Sequence, residues 1–257
     1  MIPFLITFVL ALVLSSIGFK NYVWFISIGY GLSVAGIGVY LCIVGAWMPG
    51  FILIIYGIRL AGYLVYREIA TTYNKKMKGE IKDGKTVPMG VKIAIWVTVA
   101  FQYMCMVSPV TVRVVEKQLD GDVAAYIGLA VCVFGLVFEA VADVQKQMAK
   151  KKNPKRFVDT GLYKIVRCPN YLGEMLFWTG ILISGVTVCS NIGEWIVVIL
   201  GYILITYTMF SGARRLEVRQ NKVYKDDPEY QKYHDTTPIM IPFVPLYSVE
   251  KHTWLRA

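Results

Sequence analysis

The chain has 257 residues, of which 56% are hydrophobic, and its mean hydropathy is +0.53. Soluble domains are roughly 45–50% apolar, so the composition excludes an ordinary soluble domain and predicts a membrane protein. The net charge of +10 comes without a module that interleaves basic and aromatic residues, and we expect no nucleic acid partner. Two histidines and five cysteines without ligand spacing predict no metal site.

Apolar runs long enough to cross a bilayer recur along the chain, since a spanning helix needs about 20 apolar residues. The runs are Ile2–Phe19, Tyr22–Trp47, Phe51–Tyr66, Val91–Val115, Ala124–Val144, Leu172–Cys189 and Ile192–Phe210. They predict an all-α fold, a polytopic membrane bundle of about seven transmembrane helices, with a short re-entrant polar segment and a cytoplasmic C-terminal tail. One integral membrane domain, 1–257, is the simplest organisation.

Basic residues are distributed unequally between the loops. With seven spans, Lys20, the 67–90 loop, the 145–171 loop and the tail share one side and carry 23 of the 27 Lys and Arg residues. Because basic loops stay in the cytoplasm, we expect the C-terminus inside and the N-terminus outside or lumenal. The membrane would be a bacterial inner membrane or the endoplasmic reticulum. The charge then reflects topology and attraction to anionic lipids.

The segment Gly161–Trp178 places a polar, irregular stretch before an apolar helix that begins near Tyr171. Pro169 prevents a regular helix through its middle, because proline lacks an N–H donor and restricts Cys168 before it. At membrane depth, such backbone is tolerated only where it is buried in protein or lines a cavity. We therefore expect this segment to hold a polar ligand.

Four ionisable residues lie within predicted spans: Arg59, Glu139, Asp143 and Glu174. Such groups are expensive in lipid and face a bundle interior or a wet cavity, so they indicate either pairing between helices or a functional site. Glu139 and Asp143 share one helix face because they are four residues apart. The basic stretch 145–158 that follows them suits a phosphate group, or else a solvated loop that faces lipid headgroups.

A tyrosine stripe marks one face of the third predicted span. Tyr56, Tyr63 and Tyr66 lie at positions 0, +7 and +10, and Arg59 lies at +3, so the face carries hydroxyl groups and a cation. An interfacial aromatic belt explains Tyr66 equally well, but it explains Tyr56 poorly.

These residues resemble a known family, and three pieces carry the resemblance. They are Glu139 and Asp143 with Gln145 and Lys146, then Asp159-Thr160-Gly161-Leu162-Tyr163, then Arg167-Cys168-Pro169-Asn170-Tyr171-Leu172-Gly173-Glu174. Together they resemble the C-terminal half of the membrane steroid 5-alpha-reductase superfamily. They are most similar to its branch with a domain of unknown function (DUF1295), whose signature is Arg-His-Pro-Asn-Tyr-Phe-Gly-Glu. The resemblance covers about Ile55 to Pro242, and Cys168 stands where the branch has histidine.

The resemblance implies a seven-helix bundle that binds NADPH from the cytoplasmic side. It would reduce a carbon–carbon double bond conjugated to a carbonyl in a lipophilic substrate, such as a steroid, a sterol or another lipid enone. Residues 1–90 would form the substrate-side helices and 91–257 the cofactor-binding part. By match to the family, the cofactor-binding positions are Tyr63, Arg67, Glu139, Asp143, Arg156, Arg167, Asn170, Tyr171, Glu174 and Trp178. Tyr56 falls on the proton-donating tyrosine, and Arg59 would stabilise the developing negative oxygen as the second catalytic residue.

Two other functions remain open. Membrane methyltransferases of the isoprenylcysteine or phospholipid type use S-adenosylmethionine and share the pattern Gly-x-Tyr-x-x-x-Arg-His-Pro-x-Tyr-x-Gly. Asn170 with Glu174, and the pair Glu139 and Asp143, favour the reductase over this alternative. A non-catalytic membrane scaffold would use the polar groups only to hold helices together. The first two spans lack a Gln-Glu pair like the one that binds the steroid ketone, so the cofactor half is better supported than a steroid substrate.

Overall fold

The computed structural model describes residues 1–69 and 87–255. Over these residues the chain forms nine α-helices and no strand, so the predicted all-α fold is confirmed. The helices are α1 (Ile2–Ser15), α2 (Ile28–Ile43), α3 (Trp47–Ile69), α4 (Met89–Met106), α5 (Ser108–Val115), α6 (Val123–Lys152), α7 (Pro169–Gly185), α8 (Ile192–Tyr224) and α9 (Pro228–Thr236). Short 3₁₀ turns occupy Ser16–Phe19, Tyr22–Phe25 and Gly161–Lys164.

Six segments within 1–69 and 87–255 are long and apolar enough to cross a membrane. They are Ile2–Phe19, Tyr22–Ile43, Trp47–Glu68, Met89–Met106, Val123–Lys152 and Ile192–Tyr224. The predicted span Leu172–Cys189 forms the 17-residue helix α7, at the lower limit of the roughly 17–25 residues that span a bilayer. The chain is therefore a multi-pass integral membrane protein, as the composition predicts.

Two predicted helix boundaries are wrong, and both lie at a proline. The run Val91–Val115 is divided between α4 and α5, because Pro109 lies in the first turn of α5, where a missing N–H costs nothing. The second wrong boundary is the predicted break between Trp47 and Phe51. Pro49 does not interrupt the helix there, because it lies in the first turn of α3. The chain turns earlier, at Gly45, whose φ of +99° is open to glycine.

Two helices continue beyond the apolar runs that predict them. Helix α6 extends past Val144 to Lys152, and α8 extends past Phe210 to Tyr224. Lys, Arg and Gln are good helix formers, and basic side chains in the last turn complement the helix macrodipole. The first part of the predicted 145–171 loop is therefore helical.

The chain divides into two compact units. Unit one comprises Met1–Leu129 and Ile181–Tyr202, and unit two comprises Ala130–Gly180 and Ile203–Ala257. The predicted catalytic pair and the first two predicted cofactor positions lie in unit one, whereas the other eight cofactor positions lie in unit two. Most of the predicted polar loop 67–90 lies outside the described residues.

Glycines bring α2 and α3 into backbone contact in unit one. A Cβ atom on Gly57 would lie 2.4 Å from the carbonyl oxygen of Gly31, and one on Gly38 would lie 2.7 Å from that of Gly50. Larger residues cannot occupy these crossings, so small residues let the two backbones approach, as in membrane helix pairs generally.

Candidate functional site

The loop that leads to the central motif is held against α6 by one glutamine. The Gln145 side-chain oxygen accepts a hydrogen bond from the Leu162 N–H at 2.8 Å. Gly161 adopts a φ of +63°, and a Cβ atom there would lie 2.3 Å from the same oxygen. Both the positive φ and the close contact with Gln145 require glycine at this position. The contact therefore holds the loop before α7 against α6.

A glycine contact brings α6 and α7 together at the motif. A Cβ atom on Gly173 would lie 2.6 Å from the Glu139 backbone nitrogen, and one on Gly135 would lie 2.4 Å from that of Phe177. The two helices therefore touch through their backbones. Glu174, the last residue of the motif, directly follows Gly173 at this crossing.

Three carboxyl groups are buried near the crossing of α6 and α7. Glu139 and Asp143 lie one turn apart on α6, Glu174 lies on α7, and none is more than 7% exposed. Burying carboxylates is expensive, and side chains of this kind mark functional sites in membrane proteins by default. All three are predicted cofactor positions, and they can present hydrogen-bond acceptors to a polar ligand.

Arg167 is buried and connects the motif to the C-terminal segment. Its Nη2 donates to the Glu217 carboxylate at 2.7 Å and also to the Tyr247 carbonyl oxygen. Its backbone N–H donates to the Pro238 carbonyl at 2.9 Å. Two further donors, Nε and Nη1, are buried without a hydrogen-bond partner among the residues that the structure describes. They are the atoms through which Arg167 could hold an anionic ligand.

Glu217 is the centre of this buried network. Besides Arg167, its Oε1 atom contacts His234 Nε2 at 3.0 Å, and its Oε2 accepts from the Val249 N–H at 2.8 Å. His234 in turn contacts Asp235 through Nδ1 at 2.7 Å. The carboxylate is satisfied from three directions, so it joins α8, α9 and the C-terminal segment into one assembly.

Arg156 has a different environment, at the surface of unit two. Its guanidinium donates to Glu229 at 2.5 Å and to Asp159 at 2.9 Å, and the side chains of Arg156 and Glu229 are 41% and 66% exposed. These two carboxylates raise the pKa of Arg156, mainly through the hydrogen bond to Glu229. The predicted phosphate contact therefore lies where two exposed carboxylates already compete for the guanidinium.

The other predicted cofactor positions of unit two lie on α7, and they are Asn170, Tyr171 and Trp178. The side-chain oxygen of Asn170 is buried and makes no hydrogen bond within 1–69 and 87–255. The Tyr171 hydroxyl lies close to α8, 3.3 Å from where a Cβ atom on Gly212 would be. Trp178 is fully buried and meets Phe177 edge to face at 5.3 Å. Asn170 is thus the member of this set with hydrogen-bonding capacity to spare.

In unit one, Tyr56 is fully buried and its hydroxyl lies 3.4 Å from the hydroxyl of Tyr30. Tyr30 stacks on Tyr103 at 5.0 Å, and Tyr103 donates to the Phe25 carbonyl at 2.7 Å. Three helices therefore contribute tyrosines to one cluster. The sequence analysis did not predict a role for Tyr30. A signal was available, because Tyr30 and Tyr56 directly precede Gly31 and Gly57, the two glycines that meet at the α2–α3 crossing.

The cationic face of α3 is arranged around Tyr63. The guanidinium carbons of Arg59 and Arg67 each lie 5.8 Å from the centre of the Tyr63 ring. This distance is within the range of cation–π attraction. Tyr66 is largely exposed, which suits an interfacial position.

Aromatic rings hold α9 against the loop that follows α6. Phe157 stacks on Tyr233 at 5.4 Å, and the Tyr233 hydroxyl donates to the Tyr163 carbonyl at 2.7 Å. Burial raises the pKa of Tyr233 and raises that of Tyr230 to about 12, so both phenols are neutral donors at physiological pH.

The five cysteines are free thiols. Cys168, which replaces the histidine of the motif, is buried, and burial raises its pKa to about 11. Its thiol is therefore protonated at neutral pH, and its backbone N–H donates to the Ile239 carbonyl at 2.9 Å. No group of three or more His, Cys, Asp or Glu side chains in the part of the chain that the structure describes could hold a metal ion.

Comparison with protein families identifies one match over most of the chain. The family is described as "Protein of unknown function (DUF1295)", and it matches residues 8–237, which include every predicted site residue. The match confirms the resemblance drawn from the motifs.

Among curated proteins, the chain is similar to a very-long-chain enoyl-CoA reductase from Dictyostelium discoideum, with 30% identity over 121 residues. The match covers 46% of this chain and 36% of the relative, so only about a third of the relative's length is matched. No solved structure matches the chain.

Proposed function

This chain belongs to the DUF1295 family, within the steroid 5-alpha-reductase superfamily, and on that premise we propose that it is a membrane reductase. The reaction would be NADPH-dependent reduction of a carbon–carbon double bond conjugated to a carbonyl. The substrate would be a lipophilic molecule, either a steroid- or sterol-like enone or another lipid enone. The reductase relative supports the reaction class, and the membrane location supports a lipophilic substrate.

The observation that carries the proposal is the buried carboxyl cluster of unit two. Glu139, Asp143 and Glu174 lie where glycines bring α6 and α7 into backbone contact. Carboxyl groups buried within spans are rare and concentrate at functional sites in membrane proteins. A polar ligand with hydrogen-bond donors, such as the nicotinamide amide and ribose hydroxyls, fits these acceptors.

The residues around the motif also fit a dinucleotide. Arg167 keeps two buried donors and Asn170 keeps a buried acceptor, both without hydrogen-bond partners in the described ranges. Arg167 could therefore hold the anionic pyrophosphate, and Asn170 could accept from a ribose or amide group. When bound, NADPH would supply hydride to the β-carbon of the substrate.

Arg156 is our choice for the residue that faces the extra phosphate of NADPH. The phosphate would have to displace Glu229, which is the more exposed of its two carboxylate partners. Arg156→Ala should weaken NADPH binding by about tenfold to a hundredfold, the range for a charged hydrogen bond, and should weaken NADH binding less.

Glu229→Gln separates this role from general surface charge. The variant removes a competitor for Arg156, so NADPH should bind up to about fivefold more tightly, in keeping with an exposed ion pair. Calorimetric titration with NADPH and NADH measures both variants. Equal losses for the two cofactors in Arg156→Ala would argue against a phosphate contact.

Tyr56 is the proposed proton donor to the enolate. Its position on the family motif and the hydroxyl of Tyr30 at 3.4 Å support this role. A hydroxyl held by a second hydroxyl is oriented before substrate binds, which favours proton transfer. Arg59, one turn further along α3, would lower the energy of the developing negative oxygen.

The proposed orientation has the C-terminus in the cytoplasm, in a bacterial inner membrane or the endoplasmic reticulum. The excess of basic residues in the loops 67–90 and 145–171 supports it. A cysteine added after Ala257 should react with a membrane-impermeant maleimide only after the cytoplasmic side is opened. Labelling of intact cells, above the level of the wild-type protein, would reverse the orientation.

Parallel incubation with labelled NADPH and labelled S-adenosylmethionine tests the reaction class. Purified protein in lipid nanodiscs should bind NADPH saturably and oxidise it when given a long-chain trans-2-enoyl-CoA or a 4-ene-3-one steroid. Binding of S-adenosylmethionine without NADPH would overturn the proposal in favour of a methyltransferase. Binding of neither cofactor would favour a scaffold.

A further inference from the structure

The C-terminal segment of unit two runs back along α8 toward the apolar part of that helix. Three hydrogen bonds join it to points along the helix: Val249 N to the Glu217 carboxylate at 2.8 Å, Arg214 Nε to the Glu250 carbonyl at 2.9 Å, and the Tyr207 hydroxyl to the Trp254 carbonyl at 3.0 Å. From Glu217 to Tyr207 the helix rises about 15 Å. Tyr207 lies inside the apolar run Ile192–Phe210, so the segment reaches the level of the membrane span.

The same segment exposes large apolar side chains. Phe243 is fully exposed and Trp254 is 65% exposed. Phe243 borders a cleft of about 300 Å³ whose other apolar walls include Ile165, Pro242, Val244 and Tyr247. A patch of this kind marks an interaction surface, because leaving it in water loses the free energy of burying it.

The backbone of the exposed loop suits an apolar environment. In the stretch Ile241-Pro-Phe-Val-Pro-Leu246, two prolines have no N–H, and the N–H groups of Val244 and Leu246 donate to carbonyls within the loop at 3.4 and 2.7 Å. Phe243 adopts a φ of +64°, which costs about 1–2 kcal/mol for a residue with a side chain. The loop therefore holds a phenylalanine at its tip in a backbone conformation that lowers its stability.

The neighbouring charges and aromatic residues favour lipid as the partner. Lys164 and Lys251 are exposed near the apolar residues, and Tyr247 and Trp254 are amphipathic aromatics of the type that line membrane interfaces. Trp254 packs against Tyr207 at a ring separation of 6.2 Å, within a candidate span. The Trp254 end of the segment therefore lies beside a helix that is long and apolar enough to span the membrane.

We propose that Pro242–Leu255 is an interfacial membrane anchor in which Phe243 and Trp254 insert among the lipid headgroups and upper acyl chains. The anchor is tied to the motif, because Arg167 donates to the Tyr247 carbonyl and Glu217 accepts from Val249. Contact with the bilayer therefore helps to hold the buried Arg167–Glu217 pair in place. The proposal does not depend on the reaction that the protein catalyses.

Fluorine NMR in lipid nanodiscs tests the anchor with the full-length protein. Tryptophan is replaced by 5-fluorotryptophan, and the signal lost in Trp254→Phe identifies Trp254. Phe243→Trp adds a second reporter, and Lys232→Trp, at an exposed polar position of α9, is the matched control. Each signal is followed with a doxyl-labelled phospholipid and, separately, with a water-soluble nickel chelate.

We expect the doxyl lipid to broaden the reporters at Trp254 and Phe243 beyond detection and the nickel chelate to leave them sharp. The Lys232→Trp signal should show the reverse. Broadening of Trp254 and Phe243→Trp by the chelate would mean that the patch is in water and would overturn the proposal. Insensitivity to both agents would mean that protein, such as a second copy of the chain, covers the patch, and would also overturn it.

Discussion

Both units join helices through glycine contacts, but they differ in the charged groups buried beside those contacts. In unit one, α2, α3 and α4 meet through glycine backbones and neutral donors, such as the Tyr103 hydroxyl on the Phe25 carbonyl, and the buried Arg113 and Glu194 lie on other helices. Unit two buries ions, namely the Arg167–Glu217 pair and three further carboxyl groups. Neutral contacts are inexpensive in a membrane, whereas buried ions are costly unless they are paired or hold a ligand. The comparison supports the proposal that most of the cofactor contacts lie in unit two, whereas the proposed proton donor lies in unit one.

The same contrast separates two arginines of unit two. Arg167 and Glu217 are fully buried, whereas Arg156 and Glu229 are exposed to solvent. A buried pair contributes to the fold, because removing one member strands the other charge. An exposed pair contributes little to stability, and its guanidinium can be transferred to a ligand at low cost.

Replacing Glu217 should have the largest effect on stability. Glu217→Ala strands the charge of Arg167 and removes the acceptor for Val249, so we expect a loss of about 3–5 kcal/mol in unfolding free energy. Thermal unfolding followed by intrinsic fluorescence in detergent measures it. Glu229→Ala is the matched control and should leave the unfolding temperature nearly unchanged. Equal shifts in the two variants would contradict the contrast.

Replacing Tyr56 should have the largest effect on turnover. Tyr56→Phe should lower kcat by about 10²–10⁴-fold, the usual contribution of a positioned acid, without changing the affinity for NADPH. Tyr30→Phe removes the hydroxyl beside Tyr56 and should lower kcat less. Tyr103→Phe, which removes the hydroxyl that donates to the Phe25 carbonyl, is the control and should affect stability alone. Full activity in Tyr56→Phe would remove the tyrosine from the mechanism.

The glycine contact at the motif should have an intermediate effect. Gly173→Ala places a Cβ atom 2.6 Å from the Glu139 nitrogen, so α6 and α7 must separate, at a cost of about 1–3 kcal/mol. Gly62→Ala is the control in unit one, because no atom lies within 4 Å of the added carbon. That change should be neutral or should stabilise α3 by up to about 1 kcal/mol. Similar unfolding temperatures for both variants would rule out the close approach.

The smallest effect concerns Asp122, a partly exposed carboxylate of unit one that pairs with the buried Arg113 at 2.8 Å. Burial alone would raise its pKa, but hydrogen bonds from Thr187, the Ala125 N–H and Arg113 outweigh burial and lower the pKa to about 2. An unfolded aspartate has a pKa of about 3.9, so the stabilisation is complete above about pH 4 and is lost as the pH falls toward 2. Because the side chain is 36% exposed, solvent screening keeps the contribution to about 1 kcal/mol or less.

Unfolding temperatures between pH 5 and pH 2 measure this contribution. Asp122→Asn should flatten the acid-side decline relative to the wild type. Asp120→Asn, at an exposed position two residues away, should leave the decline unchanged. A decline that persists unaltered in Asp122→Asn would show that other carboxyl groups are responsible.

Much of the fold follows from the residues in order. Long apolar runs predict helices, because a chain in lipid must satisfy every backbone N–H within the same segment. The Arg-x-Pro-Asn-Tyr-x-Gly-Glu motif predicts the family, which the match over residues 8–237 confirms. The local order of residues is sufficient for both, because hydropathy and motif spacing are properties of neighbours along the chain.

The partners of the site residues required the folded chain. Nothing in the local sequence indicates that Arg167 meets Glu217, 50 residues later, or that Tyr30 meets Tyr56, 26 residues later. Such contacts depend on which helices pack together and on how closely glycines allow them to approach. The sequence therefore indicates which groups can perform chemistry, and packing between distant segments determines which of them are bound to each other and which keep donors for a ligand.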